Sequence, residues 1–179
     1  MKKLLLLLIT TFTLSCCNKD DNPFSSNDIL PPETQTGANT VGCLVNGKVF
    51  LPHAGGINPE VNCFYQFIDN EFYFNLHFTD LRNGGNESVV VQTNRINLEV
   101  GQTYTLNKNI LNDGDFNGCG GIYTPSAIRY YTNTLKTGEL KITRLDLSNS
   151  IISGTFWFDA VNSAGETVQI RSGRFDMHY

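Results

Sequence analysis

Basic clusters, metal-ligand spacings and helix-favouring residues are all scarce in this 179-residue chain, and each scarcity closes a class of function. Lys and Arg number 13 against 17 Asp and Glu, spread without blocks over a net charge of −4. Phosphate binding needs a clustered basic surface, so no nucleic-acid partner is expected. Five Cys and three His show no Cys-x-x-Cys or His-x-x-x-His spacing, which leaves zinc without a ligand set. No Gly-x-Ser-x-Gly elbow is present, and His53, His77 and His178 lie in no protease or hydrolase signature. Enzyme activity is therefore not expected. Ala, Glu and Lys are sparse whereas aromatic residues, Thr, Val and Ile are plentiful, a balance that favours strands over helices.

What is present begins at the first residue. Lys2 and Lys3 precede an apolar stretch, Leu4 to Ile9 with Phe12 and Leu14, that is shorter than the ~20 residues a spanning helix needs. Residues 1–15 are expected to be a signal peptide. Ser15 followed by Cys16 at the cleavage position resembles a bacterial lipobox, which implies cleavage before Cys16 and acylation of its thiol by a fatty acid such as palmitate. Residues 16–40 then form the acylated Cys and a disordered tether of Asn, Asp, Ser, Pro, Thr and Gly, with an r.m.s. reach of roughly 25–30 Å. Residues 41–179 are expected to be a single β-domain.

Within that domain two hairpins can be placed by turn chemistry. Asn46-Gly47 separates two β-prone runs and suits a type I′ turn, which needs positive φ at both central residues. Asp69-Asn70 as a two-residue turn sets Ile68 opposite Glu71, Phe67 opposite Phe72 and Tyr65 opposite Phe74. Cys63, Tyr65, Phe67, Phe72, Phe74, Leu76 and Phe78 then share the core face, and Phe64, Gln66, Ile68, Glu71, Tyr73, Asn75 and His77 share the other. Near the end, a Ser163-Ala164-Gly165 loop sets Ala160 opposite Val168, Phe158 opposite Ile170 and Phe156 opposite Ser172. Further strands are expected at Ser88 to Thr93, Thr103 to Leu106, Ser126 to Thr132 and Glu139 to Leu145, with a long loop over Asn107 to Gly121 and a turn at Thr137-Gly138. Nine to eleven strands without a helix predict an all-β fold, an antiparallel two-sheet β-sandwich, with an up-and-down or lipocalin-like barrel as the alternative.

Candidate sites are few. Cys43, Cys63 and Cys119 are candidates for a structural disulfide in an oxidising compartment, with Cys63 to Cys119 as one pairing. Asp113, Asp115 and Asn117, followed by Gly118, match the first half of a calcium loop, in which alternating oxygens face the ion. Thr124 stands where an EF-hand carries its bidentate Glu, so Ca2+ would be held without that ligand. Tyr73, Tyr131 and Trp157 are candidates for stacking on sugar rings. Trp157 alternates with Phe156 and Phe158 and points away from the face they share. Arg171 and Arg174 read as solvated charges of the sheet surface.

Gly42 to Pro52 (GCLVNGKVFLP), Gly138 to Asp146 (GELKITRLD), Ile152 to Phe156 (ISGTF) and Gly173 to Asp176 (GRFD), taken with the start of the chain, resemble lipoproteins of unknown function common in Bacteroidetes, especially flavobacteria. That family offers no activity or catalytic residues to carry over. Lys19-Asp20-Asp21 after Cys16 also resembles the signal that sends such lipoproteins to the outer face of the outer membrane in that phylum. The resemblance implies an outer-membrane lipoprotein, lipid-anchored and facing the cell exterior. Its expected function is binding or adhesion to a glycan or protein. A barrel carrying a small apolar ligand and a hydrolase or its accessory domain are the alternatives.

Overall fold

The computed structural model describes residues 29–53, 60–82, 85–111 and 117–179. The expected signal peptide, Cys16, Lys19, Asp20, Asp21 and the calcium-loop candidates Asp113 and Asp115 lie outside them. The described chain is all-β. Eleven strands follow in order: β1 Thr40–Val45, β2 Lys48–Phe50, β3 Val61–Ile68, β4 Glu71–Asp80, β5 Glu87–Asn94, β6 Thr103–Leu106, β7 Gly118–Pro125, β8 Tyr130–Tyr131, β9 Gly138–Asp146, β10 Ile151–Val161 and β11 Thr167–His178.

All eleven belong to one hydrogen-bonded sheet rather than to two separate ones, in the order β2-β1-β11-β10-β9-β6-β7-β5-β4-β3. A single parallel pair, Leu106 with Cys119, joins β6 to β7, and Tyr131 of β8 pairs with both Ile122 of β7 and Val161 of β10. β6, β7, β8, β10 and β9 therefore close a ring of five. From it two arms extend, β11-β1-β2 on one side and β5-β4-β3 on the other, and they face each other across the core. Phe74 lies 5.7 Å from Phe175, Phe78 lies 6.3 Å from Phe156 and 5.6 Å from Phe50, and Tyr65 lies 6.0 Å from Tyr179. His53, just after β2, donates its N–H to Thr79 O and accepts from Leu81 N, which ties the segment after β2 to the end of β4 in the other arm.

The turn chemistry explains the hairpins. Asn46 and Gly47 have φ of 48° and 81°, and Asp69 and Asn70 have φ of 51° and 67°, the double positive φ of a two-residue turn. The β3–β4 register is Ile68 with Glu71, Phe67 with Phe72 and Tyr65 with Phe74, as expected. Its core face runs beyond the core at the tip, so Phe67 is 59% exposed although Phe74, Leu76 and Phe78 are fully buried. In the last hairpin Phe158 pairs with Ile170 as expected, but Phe156 pairs with Gly173 and not Ser172. β11 carries one extra residue there, a bulge in which Ser172 takes φ of 52°. A Cβ on Gly173 would come within 2.4 Å of the Phe156 ring, so the bulge delivers a glycine where the ring needs room.

Three other expectations are corrected. Gly118 to Gly121 is strand, not loop: a Cβ on Gly120 would lie 2.5 Å from Lys108 O and Ile110 Cγ2, and one on Gly121 would lie 2.9 Å from the Phe158 ring. Glycine marks close approach here, not a turn. Ser126 to Thr132 reduces to a two-residue strand because Ser126 turns the chain at φ of 58°. Gly138 opens β9 instead of ending a turn.

No disulfide joins the described cysteines, and Cys43, Cys63 and Cys119 are free thiols. Cys63 pairs with Leu76, Leu76 with Val91 and Val91 with Gly121, so three strand spacings separate β3 from β7. That is roughly 14 Å, twice what a disulfide spans. Cys43 lies on β1 in the opposite arm. Burial pushes the Cys63 and Cys119 thiols up to about 12 and raises that of Cys43 as well, so all three are inert at neutral pH.

Residues 29–39, expected within the tether, lie against the domain as a strap. Asp176 of β11 is 1% exposed and accepts six hydrogen bonds. Thr34 Oγ1 donates at 2.6 Å, Thr36 N at 2.9 Å, Thr36 Oγ1 at 3.3 Å, Gly37 N at 2.8 Å, Ala38 N at 3.1 Å and Ser153 Oγ at 2.7 Å. Burial raises the Asp176 pKa, but the hydrogen bonds outweigh it and hold the carboxyl well below the usual range. Arg144 Nη1 donates to Gln35 O, and Arg174 Nη1 to Pro31 O at 3.4 Å.

Candidate functional site

The outer surfaces of the two arms differ in kind. On the β9–β10–β11 side the pairing sets Thr103, Lys141, Thr155 and Arg174 in one cross-strand row, and Thr105, Glu139 and Trp157 in the next. Trp157 is 36% exposed while Phe156 and Phe158 beside it are buried, so the alternation holds. Its indole Nε1 donates to Glu139 Oε2 at 3.2 Å. Arg171 Cζ stands 5.3 Å from the ring centroid. Arg171 is no loose solvated charge: it donates to Asp159 Oδ1 at 2.5 Å, Phe158 O at 3.1 Å and Ile170 O at 2.9 Å. A cation and a carboxylate thus fix the indole plane.

Beside Trp157 lies a cleft of about 340 Å³, lined by Trp157, Glu139, Lys141, Thr155, Ser172 and Arg174, with Glu33 of the strap on its wall. Arg171 does not line it. The cleft combines an aromatic wall with hydroxyls and charges of both signs, donors and acceptors in one place.

On the β3–β4–β5–β7 side the rows are Asn62, His77, Val90, Ile122 and Tyr131; Phe64, Asn75, Gln92 and Gly120; Gln66, Tyr73, Asn94 and Gly118; and Thr79, Ser88 and Thr124. None of these residues is Lys, Arg, Asp or Glu; the charges of this side lie at its margins, Glu71 opposite Ile68 at the hairpin tip and Arg129 in the wall of the groove. A groove of about 900 Å³ crosses the face, with His77, Thr79, Ser88, Val90 and Ile122 as floor and Leu111 and residues 126–129 as walls. His77 Nε2 and Thr79 Oγ1 are 3.2 Å apart. Burial lowers the His77 pKa, so the imidazole is neutral at pH 7.

Of the stacking candidates, Tyr131 lines the groove, Trp157 lines the cleft and Tyr73 lines neither. They form no joint platform. Asn117 immediately precedes β7. Glu33, Glu139 and Lys141, which line the cleft, and Asp176, which holds the strap beside it, were missed by sequence reasoning. Glu139 becomes legible once β9 and β10 are paired, because Trp157 faces it directly.

The family described as a domain of unknown function, DUF6252, matches residues 81–177, more than half of the chain. No curated protein matches, and no solved structure does.

Proposed function

We propose, for a chain that belongs to the DUF6252 family, a binding module held by lipid on the outer membrane and facing the cell exterior, which stacks a sugar ring of a glycan on Trp157. The observation that carries the binding site is the Trp157 indole, half exposed and fixed by Glu139 and Arg171 beside a sugar-sized cleft. Aromatic faces bind the apolar faces of pyranose rings, while Glu139, Lys141, Thr155 and Arg174 offer hydroxyl partners around the rim. The anchor and its orientation rest on Cys16 and on Lys19-Asp20-Asp21.

For the finer architecture we favour a barrel-like curl with a filled interior over a two-sheet sandwich, supported by the five-strand ring and by the Phe158 ring packed against Gly121. A filled interior argues against carriage of a small apolar ligand inside it.

The full chain in detergent is expected to retain members of an immobilised oligosaccharide array. Trp157→Ala is expected to weaken that retention about tenfold or more with a melting temperature within a few degrees of the parent. Equal retention by the variant, or none by the parent, would sink the glycan site. Membrane fractionation of Cys16→Ser tests the anchor, which predicts release of the variant into the soluble fraction. A hydrolase gains one supporting observation, since Glu33 and Glu139 both line the cleft. Release of reducing ends from the retained glycan would favour it; none is expected.

A further inference from the structure

The sheet has two edges, and they are finished differently. β2 has three residues, carries Lys48, and is followed by Pro52 and by the His53 bridge to the end of β4. Short length, a Lys and a covering segment are the usual means of blunting an edge. Among the described residues β3 has none of them. It is eight residues long, its sequence VNCFYQFI holds no charge and no Pro, and Phe67 and Ile68 are 59% and 48% exposed.

The Asp69-Asn70 turn settles which backbone groups this edge presents. In a two-residue hairpin the closing pair is hydrogen-bonded, so Ile68, Gln66, Phe64 and Asn62 bond to β4. The N–H and C=O groups of Val61, Cys63, Tyr65 and Phe67 point outward. Among the described residues no backbone partner meets them.

We propose that β3 pairs antiparallel with β3 of a second copy of this chain, about a two-fold axis at Phe64. The four outward-bonding residues are symmetric about position 64. Val61 then pairs with the other copy's Phe67, and Cys63 with its Tyr65, giving about eight backbone hydrogen bonds. On the outer face Asn62 meets Gln66 and Phe64 meets Phe64. From Val61 to Phe67 every cross-strand pair joins like with like in polarity, Ile68 at each end meets the other copy's Glu60, and no charge opposes a charge. The partner's Val61 covers the exposed Phe67, which the monomer leaves in water. A second copy is favoured over an unrelated strand because this uncharged edge is complementary to itself. The pairing extends the charge-poor face across the dimer and is independent of glycan binding at Trp157.

Phe64→Cys in the full chain, expressed in cells and oxidised, tests the register. The two thiols would face each other in a non-hydrogen-bonded pair, at the separation a disulfide needs. The expected product is a covalent dimer whose cross-linked peptide joins position 64 to position 64, with none from Asn75→Cys on the neighbouring strand. Phe64→Lys, which sets like charges on the axis at an outward-facing position, is expected to weaken dimerisation of the detergent-solubilised parent at least tenfold in sedimentation. A monomeric parent, equal cross-linking at positions 64 and 75, or a cross-link from position 64 to another protein or to this chain's own first 28 residues overturns the proposal.

Discussion

The two outer faces of one sheet carry opposite surface chemistry. Over β9–β10–β11 the charges are numerous and several are engaged: Arg171 grips Asp159, Arg144 grips Asp146 at 2.7 Å, and Arg174 reaches the strap. Over β3–β4–β5–β7 the rows hold amides, hydroxyls, aromatics and a neutral His77, with charge only at the margins, at Glu71 and Arg129. An exposed β-surface is normally kept soluble and monomeric by scattered charge, so its thinning over one face accords with the two different contacts proposed above. The charged face offers directional partners to a small polar ligand, while the charge-poor face and its open edge suit contact with protein backbone.

Breaking the clasp on the charged face should give the largest effect. Asp176→Asn replaces an acceptor of six hydrogen bonds by a group that turns an N–H towards some of those donors, and about 3 kcal/mol of unfolding free energy should be lost in urea titrations. Because the native carboxyl is held below its unfolded pKa, its contribution is full above about pH 4 and fades as the pH falls further. The parent's loss below pH 4 should be shallower in Asp176→Asn. Gly138→Ala should cost about 2 kcal/mol, since its Cβ would stand 2.1 Å from Trp157 O and 2.3 Å from Phe158 Cβ, where backbone leaves no room. A loss under about half that would show that β9 can slide.

Between the faces, Thr93 Oγ1 is buried with no hydrogen-bond partner. Thr93→Val should raise stability by about 1 kcal/mol, measurable as a higher melting temperature. The smallest effect belongs to the uncharged face. His77 has a depressed native pKa, so the unfolded chain protonates first and stability should decline as the pH falls below about 6.5. His77→Gln should flatten the parent's slope between pH 7 and 5; an unchanged slope would assign it to other groups.

Local chemistry made the hairpins legible. Asn46-Gly47 and Asp69-Asn70 need only their own φ preferences, and eight successive β3–β4 pairs follow from one turn. The ring could not be read in this way. It depends on one parallel pair at Leu106 and on two tyrosines of β8, contacts too few to leave a periodic pattern. Gly118, Gly120 and Gly121 misled for a related reason: their lack of side chains makes room for Lys108, Ile110 and Phe158, residues outside their own strand. At the site, alternation placed Trp157 outward, but Glu33 reaches the cleft from a segment with no periodicity at all. Asp176 carried a faint signal, a carboxylate between the two buried apolar residues Phe175 and Met177.

The strap also decides how the molecule bears load. A pull delivered at residue 29 reaches the Asp176 carboxylate before it reaches β1, and the bonds gathered on that one group must part nearly together for the strap to peel. Tension is passed to β11 in the interior of the sheet, where two neighbouring strands share it, and not to a frayed end. Asp176 is in this sense a mechanical fuse: while it holds, Glu33 stays in the wall of the Trp157 cleft, and once it gives way the cleft loses a side.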